Sequence, residues 1–189
     1  MDGILWRQYE GNHSLHIQIW RDQGYADWLA EETGFDCVEV KKAKIEDVKQ
    51  YDAVLLGGGV YASGIAGLSF LRKHMDQLQG KKVIVFCDGM SPYEDAAIRL
   101  IVDRNMKDAL ADVPCFYCRG AWNMDALSFF DKSLCRMLRK AVAKKKPEDY
   151  EPLEKALMEA GDSNCDWTDK AYLAPVLEAL APCLSPKKQ

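Results

Sequence analysis

The fold of this chain is decided by the stretch Asp52-Ala53-Val54-Leu55-Leu56-Gly57-Gly58-Gly59-Val60-Tyr61-Ala62-Ser63-Gly64. It opens with a tight apolar run, residues 52–56, that stops abruptly at three glycines. Continuous apolar runs of this kind are typical of buried strands in parallel sheets. A second run, Val83 to Phe86, follows a segment with leucines at helical spacing and Gly80 behind them. We therefore predict a strand–helix–strand unit with parallel strands.

The alternation of helices and strands continues on both sides of this unit. A helix is predicted from about residue 24 to Gly34, followed by a strand over Cys37–Val40. A further strand over Val113–Tyr117 contains Pro114, which lacks a ladder donor, so we expect this strand at a sheet edge. The C-terminal third shows no further strong strand, and its pattern predicts helices at about 125–144, 150–160 and 169–181.

These elements predict an α/β fold, an open doubly wound parallel sheet with extra C-terminal helices. We expect one domain over residues 1–189, with an atypical N-terminal segment at 1–23 and appended helices at 124–182. The net charge of −4 argues against nucleic acid as a partner, because neutralising phosphates needs clustered excess cations. No apolar run approaches the roughly 20 residues of a transmembrane segment, and no signal-peptide pattern is present, so we expect a cytoplasmic protein.

The seven cysteines are odd in number and scattered through apolar segments, so we interpret them as reduced and mainly structural. Cys115 and Cys118 form a C-x-x-C pattern, but they lie in a predicted strand. Alternation along a strand places their sulfurs on opposite faces, which disfavours a redox dithiol. No second pair of ligands accompanies them, so no metal site is predicted.

Two segments are candidates for a binding site, because ligands of doubly wound sheets bind beyond the carboxyl ends of the strands. The first is Gly57–Gly64, whose glycines are expected to permit positive φ and close approach of a flat ligand, with Tyr61 available for stacking. An alternative interpretation is a glycine-rich connection with a surface tyrosine. The segment lacks a Walker lysine and is not a nucleoside triphosphate loop.

The second candidate segment is Cys87–Ser91, which ends the next predicted strand. Its backbone N–H groups would face the same crevice, where they can bond a polar ring edge. Ser91, Pro92 and Glu94 match a capping box with proline at the first helical position. We therefore expect Ser91 to cap the following helix.

Residues 52–64, 82–91, 116–120, 127–140 and 166–169 together resemble the flavodoxin-domain family, and within it the menaquinone-dependent protoporphyrinogen oxidase branch. The resemblance runs in order from residue 24 to about residue 180. It implies a flavodoxin-like sheet of strand order 2-1-3-4-5 with FMN at the switch point. The residues that it implies for FMN binding are Gly59, Val60, Tyr61, Ala62, Ser63, Gly64, Asp88, Gly89, Met90 and Ser91.

In this family the flavin performs the redox chemistry and the protein sets its orientation and electronics. The resemblance thus implies a protein that transfers electrons or hydrogen through the flavin, with Tyr61 stacking on the ring and Asp88 disfavouring an anionic reduced flavin. A redox protein or a quinone-type small molecule is the implied partner. Alternatives are a plain electron carrier, a quinone-dependent protoporphyrinogen oxidase-like enzyme, and a remnant that has lost FMN. No catalytic residue stands out.

The chain departs from the family where the flavin phosphate would bind. Family members begin with an apolar strand and a Ser/Thr-rich turn, whereas residues 10–23 contain no good phosphate cradle. When codons for residues 12–23 are read one base later, they can encode Ile-Ile-Val-Tyr-Thr-Ser-Lys-Tyr-Gly-Ala-Thr-Lys, a strand followed by such a turn. We therefore hypothesise two compensating frame changes, one near residues 1–10 and one near residue 24.

The predicted helix at 125–144 is amphipathic. We interpret its apolar face as packed in the core and its cations as complementing the helix dipole. The alternative is a surface that makes peripheral contact with anionic lipid. The apolar face comprises Leu127, Phe130, Leu134, Met137 and Leu138.

Overall fold

A mixed six-stranded sheet forms the centre of the structure, a computed structural model that describes residues 4–7 and 23–183. Five strands form the path β2-β1-β3-β5-β6, and β4 pairs with β3 alone. Without β4, this is the strand order 2-1-3-4-5, so the predicted order is confirmed. The strands are β1 (Ile4–Arg7), β2 (Asp36–Glu39), β3 (Ala53–Tyr61), β4 (Gly64–Ile65), β5 (Lys82–Gly89) and β6 (Cys115–Arg119).

The direction of β1 corrects the prediction of a wholly parallel sheet. β3, β5 and β6 are parallel, but β1 runs antiparallel to both β2 and β3. Ile4 is paired with Gly57, and Arg7 with Val54, so the strand starts toward the edge where β3 ends. Either strand direction satisfies the backbone donors and acceptors of the two flanking strands, so hydrogen bonding alone does not require β1 to be parallel.

Helices cover the two faces of the sheet. The predicted first helix is confirmed, with Gly34 beyond its end at φ 70°. The three predicted C-terminal helices are also present. Two short paired strands were not predicted: β7 (Ala121–Trp122) precedes these helices, and β8 (Cys165–Asp166) lies between the second and the third. The α-helices are α1 (Gln23–Thr33), α2 (Ile45–Val48), α3 (Leu68–His74), α4 (Asp95–Asn105), α5 (Phe129–Val142), α6 (Pro152–Ala160) and α7 (Ala174–Leu180). Short 3-10 helices span Val40–Lys42, Met75–Leu78, Asp108–Leu110, Pro147–Asp149, Lys170–Leu173 and Ala181–Cys183.

Two hydrophobic cores lie on opposite faces of the sheet, as a doubly wound fold requires. Successive side chains of a strand point to opposite faces, so Leu56 belongs to the core beneath α3, whereas Leu55 belongs to the core beneath α1 and α7. Cys115 packs against the first core and Cys118 lies in the second. The prediction that these two sulfurs face opposite sides is therefore confirmed.

The edges of the fold test two further predictions. β6 ends the strand path, so the prediction that this strand lies at a sheet edge is confirmed, but the strand begins at Cys115 and does not contain Pro114. The interpretation of the α5 apolar face as core is wrong, because Phe130, Met137 and Leu138 are exposed. In the part of the chain that the structure describes, every helix is too short or too polar to cross a membrane.

Candidate functional site

Two segments meet at the edge of the sheet where the parallel strands β3, β5 and β6 end, which we call the carboxyl edge. The first segment, which we call the site hairpin, comprises residues 59–65 and consists of the end of β3, the turn after it and β4. The second, which we call the site loop, comprises residues 88–91 at the end of β5. Gly59 is paired in register with Asp88, so the two segments leave the sheet side by side. The structure therefore brings together the ten residues that the sequence singled out.

The site hairpin corrects the expected loop at Gly57–Gly64. β3 does not stop at Gly57 but continues to Tyr61, since its glycines extend the ladder with β5. The positive φ angles lie at Ala62 (47°) and Ser63 (65°), not at these glycines. A two-residue hairpin turn of type I′ requires left-handed backbone at both central positions, and here two non-glycine residues supply it.

Gly58 is required for close backbone approach. A Cβ atom built on this residue would lie 2.2 Å from the carbonyl oxygen of Ala66, far inside van der Waals contact. The N–H of Ala66 also donates to the carbonyl of Gly59 at 3.1 Å. The segment after β4 is therefore held directly against the face of β3, which fixes the direction of the hairpin.

Asn105, the last residue of α4, holds the turn of the site hairpin through side-chain hydrogen bonds. Its Nδ2 donates to the carbonyl of Ser63 at 2.7 Å, and its Oδ1 accepts from the N–H of Ile65 at 3.1 Å. Asn105 is 5% exposed and its bond to Ile65 is buried, so loss of the side chain would leave a buried backbone N–H unpaired. Sequence reasoning missed Asn105, because only the packing of α4 on the hairpin reveals its role.

The site loop corrects the predicted capping box. α4 begins at Asp95 with Glu94 as its N-cap, and the Ser91 side chain does not cap it. The Tyr117 hydroxyl lies 2.9 Å from the carbonyl oxygen of Gly89 and 2.8 Å from that of Ser91, and shares its proton between them. These bonds, together with the extended chain that follows, delay the start of the helix beyond the position that local capping favours.

β6 fixes the remaining backbone of the site loop. The N–H of Gly120 donates to Gly89 O at 2.8 Å, and Arg119 Nε donates to Met90 O at 3.3 Å. Burial raises the pKa of the Tyr117 hydroxyl well above its ordinary value, so this group remains a donor at all physiological pH values. The site loop is thus positioned by β6 through three successive carbonyls.

Removing the Tyr117 hydroxyl tests this arrangement. We expect Tyr117→Phe to lower the free energy of unfolding by about 1–3 kcal/mol, because the partly buried Ser91 carbonyl loses its bond to Tyr117 and the Gly89 carbonyl keeps only its bond from the Gly120 N–H. Tyr93→Phe is the matched control, since the neighbouring Tyr93 hydroxyl makes no hydrogen bond within residues 4–7 and 23–183. Urea unfolding followed by circular dichroism measures both, and equal midpoints and slopes for the two variants would contradict the assignment.

Tyr61 presents its ring to solvent at the carboxyl edge. The side chain is 55% exposed, and its hydroxyl donates to Asp131 Oδ1 at 3.4 Å. Asp131 lies in the first turn of α5, where Ser128 caps the helix by accepting from the Asp131 N–H at 3.1 Å. The faces of the ring are therefore exposed, while the hydroxyl end is held by a hydrogen bond. This arrangement suits stacking on a planar ligand.

Asp88 places a carboxylate at the centre of the same edge, since its neighbours in register are Gly59 and Cys118. Burial raises the pKa of the Cys118 thiol to about 12, and the negative charge of Asp88 adds to this shift. The thiol is therefore protonated at neutral pH. A carboxylate at this position disfavours further negative charge on a ligand placed beside it.

The beginning of α1 lies at the carboxyl edge as well. The Tyr25 hydroxyl donates to the carbonyl of Arg119 at 2.6 Å and accepts from the N–H of Asp169 at 3.2 Å. These bonds tie the first turn of α1 to the end of β6. Helix N-termini favour anions. Residues 10–23, in which the sequence shows no good phosphate cradle, lie outside the described residues except for Gln23.

The C-terminal helices are attached to this edge through Arg119, which sequence reasoning also missed. Its Nη2 lies 3.0 Å from Glu159 Oε2, and its guanidinium stacks 4.3 Å from the Trp167 ring centre. Trp167 Nε1 in turn donates to Glu159 Oε1 at 3.1 Å. This three-residue cluster connects β6 to α6, so the appended helices and the carboxyl edge form one structure.

Comparison with known proteins supports a family assignment. A family model described as a flavodoxin domain matches residues 23–150. The match begins with α1 and includes both the site hairpin and the site loop. Comparison with curated proteins finds no match.

Proposed function

The chain belongs to the flavodoxin-domain family, and from this premise we propose that it binds FMN at the carboxyl edge and transfers electrons or hydrogen through it. The observation that carries the proposal is the placement of the site hairpin beside the site loop, with Gly59 and Asp88 in register. Bound flavin supplies one-electron and hydride chemistry that protein side chains lack. The chain's own residues bind and orient it.

The residues present fit a flavin ring. The exposed face of Tyr61 matches a planar aromatic group, and the backbone of the neighbouring site loop is held in place by the Tyr117 hydroxyl. Asp88 would oppose negative charge on the bound ring and so favour uptake of a proton with the electrons. The start of α1 would stabilise the phosphate.

Titration of the purified chain with FMN, followed by quenching of flavin fluorescence and by the visible spectrum, tests the proposal. We expect Tyr61→Ala to weaken binding by about tenfold, because stacking on an exposed aromatic ring contributes about 1–1.5 kcal/mol. Tyr150→Ala, outside both site segments, is the control and should bind as the unchanged chain does. Absence of quenching by both FMN and riboflavin, which shares the ring but lacks the phosphate, would reject the site.

For the electron partner we propose either a redox protein or a quinone-type small molecule. The helices after β6 support an enzyme rather than a minimal carrier, because they are tied to the carboxyl edge through Arg119 and Glu159. A quinone-dependent oxidase of protoporphyrinogen is the most specific version of this proposal. Oxidation of protoporphyrinogen by the FMN-loaded chain, with menaquinone as acceptor, separates it from simple electron transfer.

A second candidate function, a flavodoxin-like chain that has lost FMN, is favoured by the direction of β1. Arg7 pairs with Val54 and Asp36, at the edge of the sheet opposite to the site. β1 therefore does not lead directly into the first turn of α1, as a strand with a phosphate loop at the carboxyl edge would. The family match beginning at residue 23 is consistent with this.

A further inference from the structure

We propose that α5 binds the surface of an anionic lipid bilayer with its exposed apolar face. The helix begins with Phe129 and Phe130, which are 87% and 79% exposed. Leu134, Met137 and Leu138 continue the exposed apolar surface along the helix. A soluble monomer seldom leaves so many large apolar side chains together in water without a partner for them.

The apolar face is continuous because of the helical period. Relative to Phe130, the residues Leu134, Met137 and Leu138 stand at i+4, i+7 and i+8, so they share one side of the helix. The side that carries Cys135, Arg139 and Val142 attaches the helix to the protein, since the first two are half-buried, Val142 is buried, and Arg139 Nη1 lies 2.9 Å from Asp162 Oδ1. α5 is thus an anchored helix with its apolar side turned outward.

The positive charge of residues 129–146 indicates an anionic partner. Residues 129–146 contain seven Lys or Arg and one Asp, a formal charge of +6 in a chain of net charge −4. Within residues 4–7 and 23–183, Lys140, Lys144 and Lys146 form no ion pair. A helix with Phe and Leu on one side and flanking lysines has the pattern of an interfacial helix on anionic lipid. A symmetric α5–α5 contact would instead bring the two positive segments together.

Docking of α5 on a bilayer would bring the candidate site close to the lipid. Tyr61 donates to Asp131 in the first turn of α5, so the helix adjoins the site hairpin. A bilayer bound to α5 would lie next to the carboxyl edge, where an acceptor dissolved in the lipid can approach. This consequence rests on the proposed function, whereas the docking itself does not.

Vesicle co-sedimentation of the full chain, without added flavin, tests the proposal. We expect binding to phosphatidylcholine vesicles containing about 30% phosphatidylglycerol, little binding to phosphatidylcholine alone, and release as salt is raised. The double variant Phe129→Ser/Phe130→Ser should bind at least about tenfold more weakly, since two large apolar side chains no longer enter the interface. Leu100→Ser, at an exposed leucine of α4, is the matched control.

Charge reversal at lysines is the second part of this test. Lys140→Glu/Lys144→Glu/Lys146→Glu should abolish binding, whereas Lys44→Glu/Lys73→Glu/Lys107→Glu, with the same total charge, should retain it. Circular dichroism establishes that each variant is folded. Equal sedimentation with neutral and anionic vesicles, or equal loss in both triple variants, would overturn the proposal. Absence of vesicle binding would also overturn the proposal. The apolar face would then serve self-association if light scattering finds a dimer that the Phe129→Ser/Phe130→Ser variant dissociates, or a protein contact if α5 binds an acidic protein.

Discussion

Replacing residues 12–23 with Ile-Ile-Val-Tyr-Thr-Ser-Lys-Tyr-Gly-Ala-Thr-Lys, the shifted-frame residues, is expected to tighten FMN binding at least about 100-fold. The replacement places hydroxyl and backbone donors before α1, whose first turn is already held at the carboxyl edge by Tyr25. Hydrogen bonds to a charged group contribute about 1.5–3 kcal/mol each, so two new bonds to a phosphate account for a change of this size.

Riboflavin is the matched control ligand for this experiment, because it has the flavin ring but no phosphate. Its affinity should be nearly the same for the two chains, so the ratio of FMN to riboflavin affinity isolates the phosphate contacts. Fluorescence titration of both ligands measures that ratio. An unchanged ratio would show that the shifted-frame residues do not form phosphate contacts. Codons for residues 12–23 that exclude the shifted residues would reject the hypothesis of frame changes itself.

The second large effect is expected at Gly58. Gly58→Ala should lower the free energy of unfolding by about 3 kcal/mol, because the added methyl group meets a backbone oxygen 2.2 Å away that no side-chain rotation can move. Relief requires the segment at Ala66 to move off β3. That movement would displace the site hairpin, so flavin affinity should fall together with stability.

Gly59→Ala is the control for this prediction, since the neighbouring position has room for a methyl group. The nearest contact of a Cβ atom there is Asp88 Oδ2 at 3.9 Å, an ordinary van der Waals distance. Urea unfolding should distinguish the two substitutions by at least about 2 kcal/mol. If both variants unfold at the same denaturant concentration, the close approach of Ala66 to β3 is not a constraint on this fold.

Several features were predictable because they depend on local pattern. The apolar run before Gly57 identified β3, and the run from Val83 to Phe86 identified β5, since buried parallel strands are apolar on both faces. Once these strands were recognised as neighbours, their carboxyl ends had to lie together. Finding the site hairpin beside the site loop therefore required no knowledge of distant contacts.

The errors have a common cause, which is competition between local preference and contacts from elsewhere in the chain. The capping box at Ser91 was a sound local signal, but the Tyr117 hydroxyl binds the carbonyl of Ser91 from 26 residues away. The glycines after Leu56 indicated a loop, but pairing with β5 kept them in the strand. The α5 apolar face indicated a core contact, but α5 packs through its other side.

The sequence by itself determined the order of the elements, the two buried central strands and the location of the candidate site, because periodicity and apolar runs record which backbone is buried. Only the tertiary structure decided how the site is held. The bonds by which Asn105, Tyr117 and Arg119 hold the site hairpin and the site loop join residues that are 26 to 42 positions apart in the chain. Such bonds leave no periodic trace, since a single polar side chain in a strand or helix looks the same whether its partner is water or a distant carbonyl.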